Sequence, residues 1–198
     1  MSHRVVIVTG AASGLGAACA KLLAERGVTV VGVDRQQAAA LPGGSWTKLD
    51  LADVDAIEPA VRGVVEQYGR LDGLVNAAGV MDTRSFTAIS PADFDRIFAV
   101  NVRGAFFMLQ AAAEQMALTG GGSAVLFSST GGRVGRPRAA HYAASKAAMI
   151  SLVKSTSIAL ADSGVRVNCV SPGLVETPML QGIRRHRAEQ GALSADSV

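Results

Sequence analysis

Tyr142 and Lys146 stand four residues apart in the alanine-rich run Tyr142-Ala143-Ala144-Ser145-Lys146. If the run is helical, both side chains leave one face. A phenol titrates near pH ~10, so it serves as an acid or base near neutrality only where a positive charge stabilises its phenolate. Lys146 is placed to supply that charge. An ordinary exposed helix pair has the same spacing, so the reading depends on what else the chain brings to this point. Ser128-Ser129-Thr130 ends an apolar run upstream of Tyr142, where hydroxyls commonly cap turns. Asn101 falls inside an apolar helical pattern, where its amide must find a backbone or water partner.

The elements that would position these residues begin at the N-terminus. Arg4 to Thr9 is a short β-branched run, as expected of a strand buried on both faces of a parallel sheet. It runs into Thr9-Gly10-Ala11-Ala12-Ser13-Gly14-Leu15-Gly16 and then a helical pattern from Ala17 to Arg26, with Leu15, Cys19, Leu22 and Leu23 at helical spacing. Gly10 suits the tight turn, Gly14 the close approach of backbone to a phosphate, and Gly16 close packing of helix on strand, while the helix N-terminus offers free N–H groups to a pyrophosphate. A second strand, Val28 to Val33, ends at Asp34 and completes a βαβ unit. Asp34 can accept from both ribose hydroxyls and would oppose a 2′-phosphate, which favours NAD over NADP; a helix N-cap is its other reading.

A segment at Gln36 to Leu41, closed by Pro42-Gly43-Gly44, precedes a third strand over Ser45 to Leu49 that ends in Asp50-Leu51. Asp50 is placed to accept from an adenine amine or to start a helix. Asp53 to Tyr68 predicts an amphipathic crossover helix ended by Gly69, with Val54, Ile57, Val61, Val64 and Val65 inward. The fourth strand, Leu71 to Val75, opens into Asn76-Ala77-Ala78-Gly79, small residues that let a ligand approach the backbone. Ser90-Pro91-Ala92-Asp93 starts a long helix reaching Leu118 with a bend near Gly104. A fifth strand over Ser123 to Phe127 delivers Ser128-Ser129-Thr130, and the loop 131–140, with Arg133, Arg136 and Arg138, is long enough to lie over a site. The helix from Tyr142 to Ala161 carries Ala147, Ile150, Val153 and Ile158 as its apolar positions. A sixth strand, Val165 to Val170, ends at Pro172-Gly173, and Leu180 to Glu189 reads as a charged helix.

Composition narrows the classes. The chain has 198 residues, 49% of them hydrophobic and 18% charged, which fits one well-packed domain over 1–198. The net charge of +3 is spread out, and basic residues are not interleaved with aromatics, which disfavours nucleic-acid binding. The apolar runs are too short for a membrane span and no leader is evident, so a cytoplasmic location is expected, with Cys19 and Cys169 as buried free thiols. No Gly-Lys-Ser or Gly-Lys-Thr follows the glycine loop, which removes phosphoryl transfer. No Gly-x-Ser-x-Gly elbow occurs and His141 has no evident acid partner, which removes a hydrolase triad.

Taken together, Thr9-Gly10-x-x-x-Gly14-x-Gly16, Asn76-Ala77-Ala78-Gly79, the set Asn101, Ser129, Tyr142 and Lys146, and Pro172-Gly173 with Thr177 resemble the motifs of the short-chain dehydrogenase/reductase family, in order. The resemblance implies an α/β fold: a doubly wound, three-layer Rossmann fold whose parallel sheet has strand order 3-2-1-4-5-6. The seventh strand of the family would be missing from this chain, and a substrate lid would begin within 174–198. It implies NAD contacts at Gly10, Ser13, Gly14, Leu15, Gly16, Asp34, Asp50, Leu51, Asn76, Ala77, Gly79, Tyr142, Lys146, Pro172, Gly173, Val175 and Thr177, and no metal. It implies hydride transfer between NAD and a small secondary alcohol or ketone. Ser129 would hold the substrate oxygen, and Tyr142 would exchange its proton. Lys146 would lower the Tyr142 pKa and bridge the ribose hydroxyls, and Asn101 would hold a water in the proton path. A homodimer or homotetramer through the long helices is expected. Arg184, Arg185, His186 and Arg187 would form a solvated helix face or meet an anionic substrate. The competing reading is a catalytically silent NAD-binding domain used in assembly or sensing.

Overall fold

The computed structural model describes residues 4–36, 41 and 43–189, with only the backbone course for 186–189. The expected segment at Gln36 to Leu41 and its Pro42 turn therefore lie largely outside the described residues, as do the side chains of His186 and Arg187.

Six parallel strands form one sheet in the order β3-β2-β1-β4-β5-β6: β1 Val5–Thr9, β2 Thr29–Asp34, β3 Ser45–Lys48, β4 Gly73–Asn76, β5 Gly122–Phe127 and β6 Val165–Val170. The helices are α1 Gly14–Glu25, α2 Ile57–Tyr68, α3 Pro91–Phe98, α4 Ala105–Leu118, α5 Ala140–Ala159 and α6 Pro178–Glu189. Alternation along the strands sorts side chains to two faces. Ile7, Val31 and Val33 join the core under α2, α4 and α5, whereas Val8 and Val30 pack with Ala20 of α1 on the other face. A fully buried residue such as Ile7 or Leu74 contributes about 2 kcal/mol. The result is the expected doubly wound, three-layer architecture with its strand order. The register pairs Thr9 with Val33 and with Asn76, and Phe127 with Val170, so the strands reach one edge with their carboxyl ends aligned.

Local signals placed several boundaries. Gly69 ends α2 in the left-handed region at φ 76, its N–H donating to the Val65 carbonyl. Ser90 and Asp93 form a reciprocal capping box, with Pro91 at the first helical position of α3.

Other expectations need correction. The helical run expected from Asp93 to Leu118, with a bend near Gly104, consists of α3, a π-helical segment over Ala99–Gly104, and α4. Gly104 is pressed against the turn after β3, where a Cβ would overlap the Leu51 carbonyl oxygen. Leu22 is 48% exposed because α1 lies on the sheet through the small residues Gly16 and Ala20. On α5 the buried residues are His141, Ser145, Lys146, Met149 and Val153, whereas Ala147 is exposed and Ile158 is 79% exposed. Its inner face is polar because it looks onto a cleft, not only onto core. Cys19 and Cys169 are half-buried, not fully buried. Among the described residues, no helix is long and apolar enough to cross a membrane.

Candidate active site

The carboxyl edge of the sheet carries two clefts that meet at Leu15, Ala77, Gly79 and Thr177. The first, about 280 Å³, is floored by the turn between β1 and α1. Gly10 and Gly14 have φ of 68° and 54°, values that favour glycine. A Cβ on Gly10 would lie 2.9 Å from the Ala78 backbone, and one on Gly16 would overlap the Gly10 carbonyl oxygen. The turn thus exposes its backbone and the first N–H groups of α1, which suits a pyrophosphate. Thr9 locks the turn to the next strand: its Oγ1 donates to Asn76 Oδ1 at 2.6 Å and accepts from the Ala78 N–H at 3.1 Å. Asn76 is therefore a buried brace rather than a wall of the cleft.

Ser13, Leu15, Asp34, Asp50, Leu51, Ala77 and Thr177 line this first cleft with the glycines. The Asp34 carboxylate accepts from the Ala12 N–H at 3.1 Å and the Gln36 N–H at 3.0 Å, which fixes it at the end of β2. Asp50 accepts from the Ala52 N–H at 2.9 Å and faces Arg35 at 3.8 Å, so it shapes its own turn as well as the cleft.

The second cleft, about 570 Å³, brings together Ser129, Tyr142, Lys146, Pro172, Gly173 and Val175. Ser129 follows β5 directly, and its Oγ accepts from the Gly131 N–H at 3.0 Å. Ser128 donates to the Lys146 carbonyl at 2.7 Å, pinning α5 to the end of β5. The Thr130 N–H donates to the Pro172 carbonyl at 2.9 Å, joining the β5 and β6 ends. Lys146 is buried, donates from Nζ to the Phe127 carbonyl at 2.9 Å, and lies 5.7 Å from the centre of the Tyr142 ring. Asn101, on the π segment, exchanges both hydrogen bonds with Val80 and donates to Ser145 Oγ at 3.1 Å. Its side-chain amide thus reaches the Val80 backbone and Ser145. A Cβ at Gly79 would lie 3.3 Å from both Asn101 Oδ1 and Lys146 Nζ, so this glycine keeps the space between them open.

The electrostatics differ from the expectation that Lys146 lowers the Tyr142 pKa. Burial pushes the phenol above its usual value, and the opposing influences are a hydrogen bond with Ser129 and the charge of Arg136. Burial also pulls Lys146 down to about 8, with Cys169 acting the other way. An ammonium so removed from water is itself destabilised.

Sequence reading missed the surroundings. His141 does have an acid partner: Nε2 is 2.7 Å from Asp82 Oδ1, and Asp82 also pairs with Arg96. The Arg84 N–H donates to the Arg138 carbonyl at 2.8 Å, which ties the segment after β4 to the loop before α5. Arg136, prominent in the sequence only as a loop cation, lines the second cleft and donates to Thr130 Oγ1 at 3.0 Å. Nothing in the local pattern announces the Asp82 to His141 pairing, because fifty-nine residues separate the partners.

Residues 4–188 match the family model described as short chain dehydrogenase. The 3-oxoacyl-(acyl-carrier-protein) reductase of Thermotoga maritima is 37% identical over 98% of this chain and 82% of its own. Galactitol 2-dehydrogenase of Agrobacterium fabrum is 34% identical over 96% of this chain and 77% of its own. Among solved structures, a variant of actinorhodin polyketide ketoreductase with NADPH superimposes with a TM-score of 0.90 at 32% identity, covering 98% of this chain and 79% of that one. The glycine turn, the shared edge of the two clefts and the Ser129, Tyr142 and Lys146 cluster are thus features of a member of the short-chain dehydrogenase/reductase family, to which this chain belongs.

Proposed function

We propose that this oxidoreductase interconverts a secondary alcohol and a ketone with NAD as its preferred cofactor, and that Tyr142 exchanges the proton. The observation that carries the reading is the continuity of the glycine-floored cleft with the Ser129, Tyr142 and Lys146 cleft across Gly79. When bound, a nicotinamide cofactor supplies the hydride acceptor or donor. The residues of the glycine turn hold its phosphates, and the Asp34 carboxylate, fixed by two backbone N–H groups, accepts from ribose hydroxyls and repels a 2′-phosphate.

On the substrate side, Ser129 and Tyr142 address one oxygen. The phenol, held protonated by burial, is suited to give its proton to a ketone oxygen, and the Ser129 hydrogen bond and Arg136 charge ease the phenolate left behind. Lys146, with a pKa of about 8, is positioned to pass on a proton near neutral pH. Asn101 orients the site by fixing Val80 beside Gly79. The test is Tyr142→Phe assayed by nicotinamide absorbance on a panel of secondary alcohols and ketones. Loss of general acid–base catalysis lowers kcat roughly 10²- to 10⁴-fold; turnover near the wild-type level would remove Tyr142 from the proton step. Cofactor binding by the wild type without turnover on any substrate would instead favour a silent binding domain.

A further inference from the structure

The cleft beside Tyr142 has a largely apolar wall, built by Met81, Leu174, Leu180 and Ile183. Arg136 lines the same cleft and is half-buried. Its Nη2 donates to Thr130 Oγ1 at 3.0 Å, and it forms no ion pair among the described residues. Three other arginines nearby are ion-paired. Arg184, on the same cleft, reaches Glu176 at 2.7 Å; Arg84 pairs with Asp93 at 3.0 Å, and Arg96 pairs with Asp82. A guanidinium half-removed from water with no counter-charge is unfavourable unless a ligand supplies the anion.

Gly131 lies between Arg136 and the Ser129 hydroxyl. A Cβ on that glycine would lie 3.4 Å from Arg136 Cγ, 3.6 Å from Arg136 Nε and 3.5 Å from Ser129 Oγ. The guanidinium stem and the Ser129 hydroxyl thus flank one small residue, and Thr130, which accepts from Arg136, has a hydroxyl proton left for the same ligand. We propose that Arg136, with Thr130, anchors a substrate carboxylate, so that the cleft takes a compact alcohol or ketone with an apolar body and one carboxylate. A planar fork of donors suits a carboxylate in two-point contact. The guanidinium charge matches one negative charge, and the apolar residues of the cleft match a hydrocarbon body. The alcohol or ketone half of this statement rests on the hydride-transfer reading above; the anion site does not.

The experiment is a calorimetric titration of the NADH-loaded protein with cyclohexanecarboxylate and with cyclohexanecarboxamide, which have nearly the same shape and differ in charge. The carboxylate is expected to bind roughly 10- to 100-fold more tightly, the range for a charge-assisted hydrogen bond. In Arg136→Gln the preference disappears. In Arg136→Lys part of it survives, because the charge remains while the fork is lost. NADH affinity, measured in the same samples, reports whether each variant is folded. Equal affinity for acid and amide in the wild type overturns the proposal, as does a preference that survives Arg136→Gln. Turnover is measured separately with NAD and 4-hydroxycyclohexanecarboxylate, its methyl ester and neutral secondary alcohols. Carboxylate-selective binding with no hydride transfer on any of these refutes the oxidoreductase reading and leaves the anion site standing. Turnover of neutral alcohols without carboxylate-selective binding does the reverse.

Discussion

Replacing Lys146 by methionine tests whether the ammonium is as far from water as its surroundings require. The side chain is buried, has the Phe127 carbonyl as acceptor, and titrates at about 8 against an ordinary 10.5. Between those two values the unfolded chain holds more protons than the folded one, so the folding stability attributable to this lysine rises with pH. Below pH 8 both states carry the proton and the penalty for burying charge is fully present; above 10.5 neither does, and it is gone. At 1.36 kcal/mol per pH unit, the difference between 10.5 and about 8 amounts to about 3 kcal/mol, most of which develops between pH 7 and pH 10. The assay is urea unfolding of the cofactor-free protein and of Lys146→Met at several pH values across that window. Fluorescence of the single tryptophan, Trp46, which packs over Gly32 in β2, reports unfolding. Most other titrating groups are common to both proteins and the donor lost by the Phe127 carbonyl is a constant offset, so Lys146, with Cys169 coupled to it, dominates the pH dependence of the difference between the two curves. The wild type should gain about 2–3 kcal/mol on the variant from pH 7 to pH 10. For a chain of this length that is roughly 5–10 °C in melting temperature. A flat difference, or one that falls with pH, would show the ammonium to be solvated or ion-paired and would refute the account of the buried site.

Two further perturbations test the cofactor cleft and the element beneath it. Asp34→Ala removes the fixed carboxylate at the end of β2, and the NAD to NADP ratio of kcat/KM should fall by roughly tenfold or more, since juxtaposed like charges cost several kcal/mol; an unchanged ratio would place the selectivity elsewhere. Gly104→Ala drives a methyl group into the Leu51 carbonyl and should destabilise by about 1–3 kcal/mol, with kcat lowered as the π segment and Asn101 shift; a melting temperature equal to the wild type's would show that the contact yields without strain.

What the sequence determined by itself is what short-range physics controls. The β-branched runs from Val5 to Thr9 and from Val28 to Asp34, the glycines between β1 and α1, the Ser90 capping box and the Gly69 stop all act within a few residues, and each is legible in order. Tyr142 and Lys146 were legible as a pair at helical spacing and Ser129 only through the family resemblance, and the three line one cleft because parallel strands deliver their carboxyl ends to a single edge. Tertiary structure decided the rest. The π segment exists where Gly104 meets a strand-end turn fifty-three residues earlier in the chain, and no helical pattern records that encounter. Part of the inner face of α5 is polar because of what it faces, so of its apolar positions Val153 is buried in the core while Ala147 and Ile158 are exposed. The pairing of His141 with Asp82 and the approach of Arg136 to Tyr142 are contacts across loops. Above all, the protonation of Tyr142 and Lys146 is set by the water that the whole fold excludes from around them, a property of the enclosure and not of the two residues' spacing.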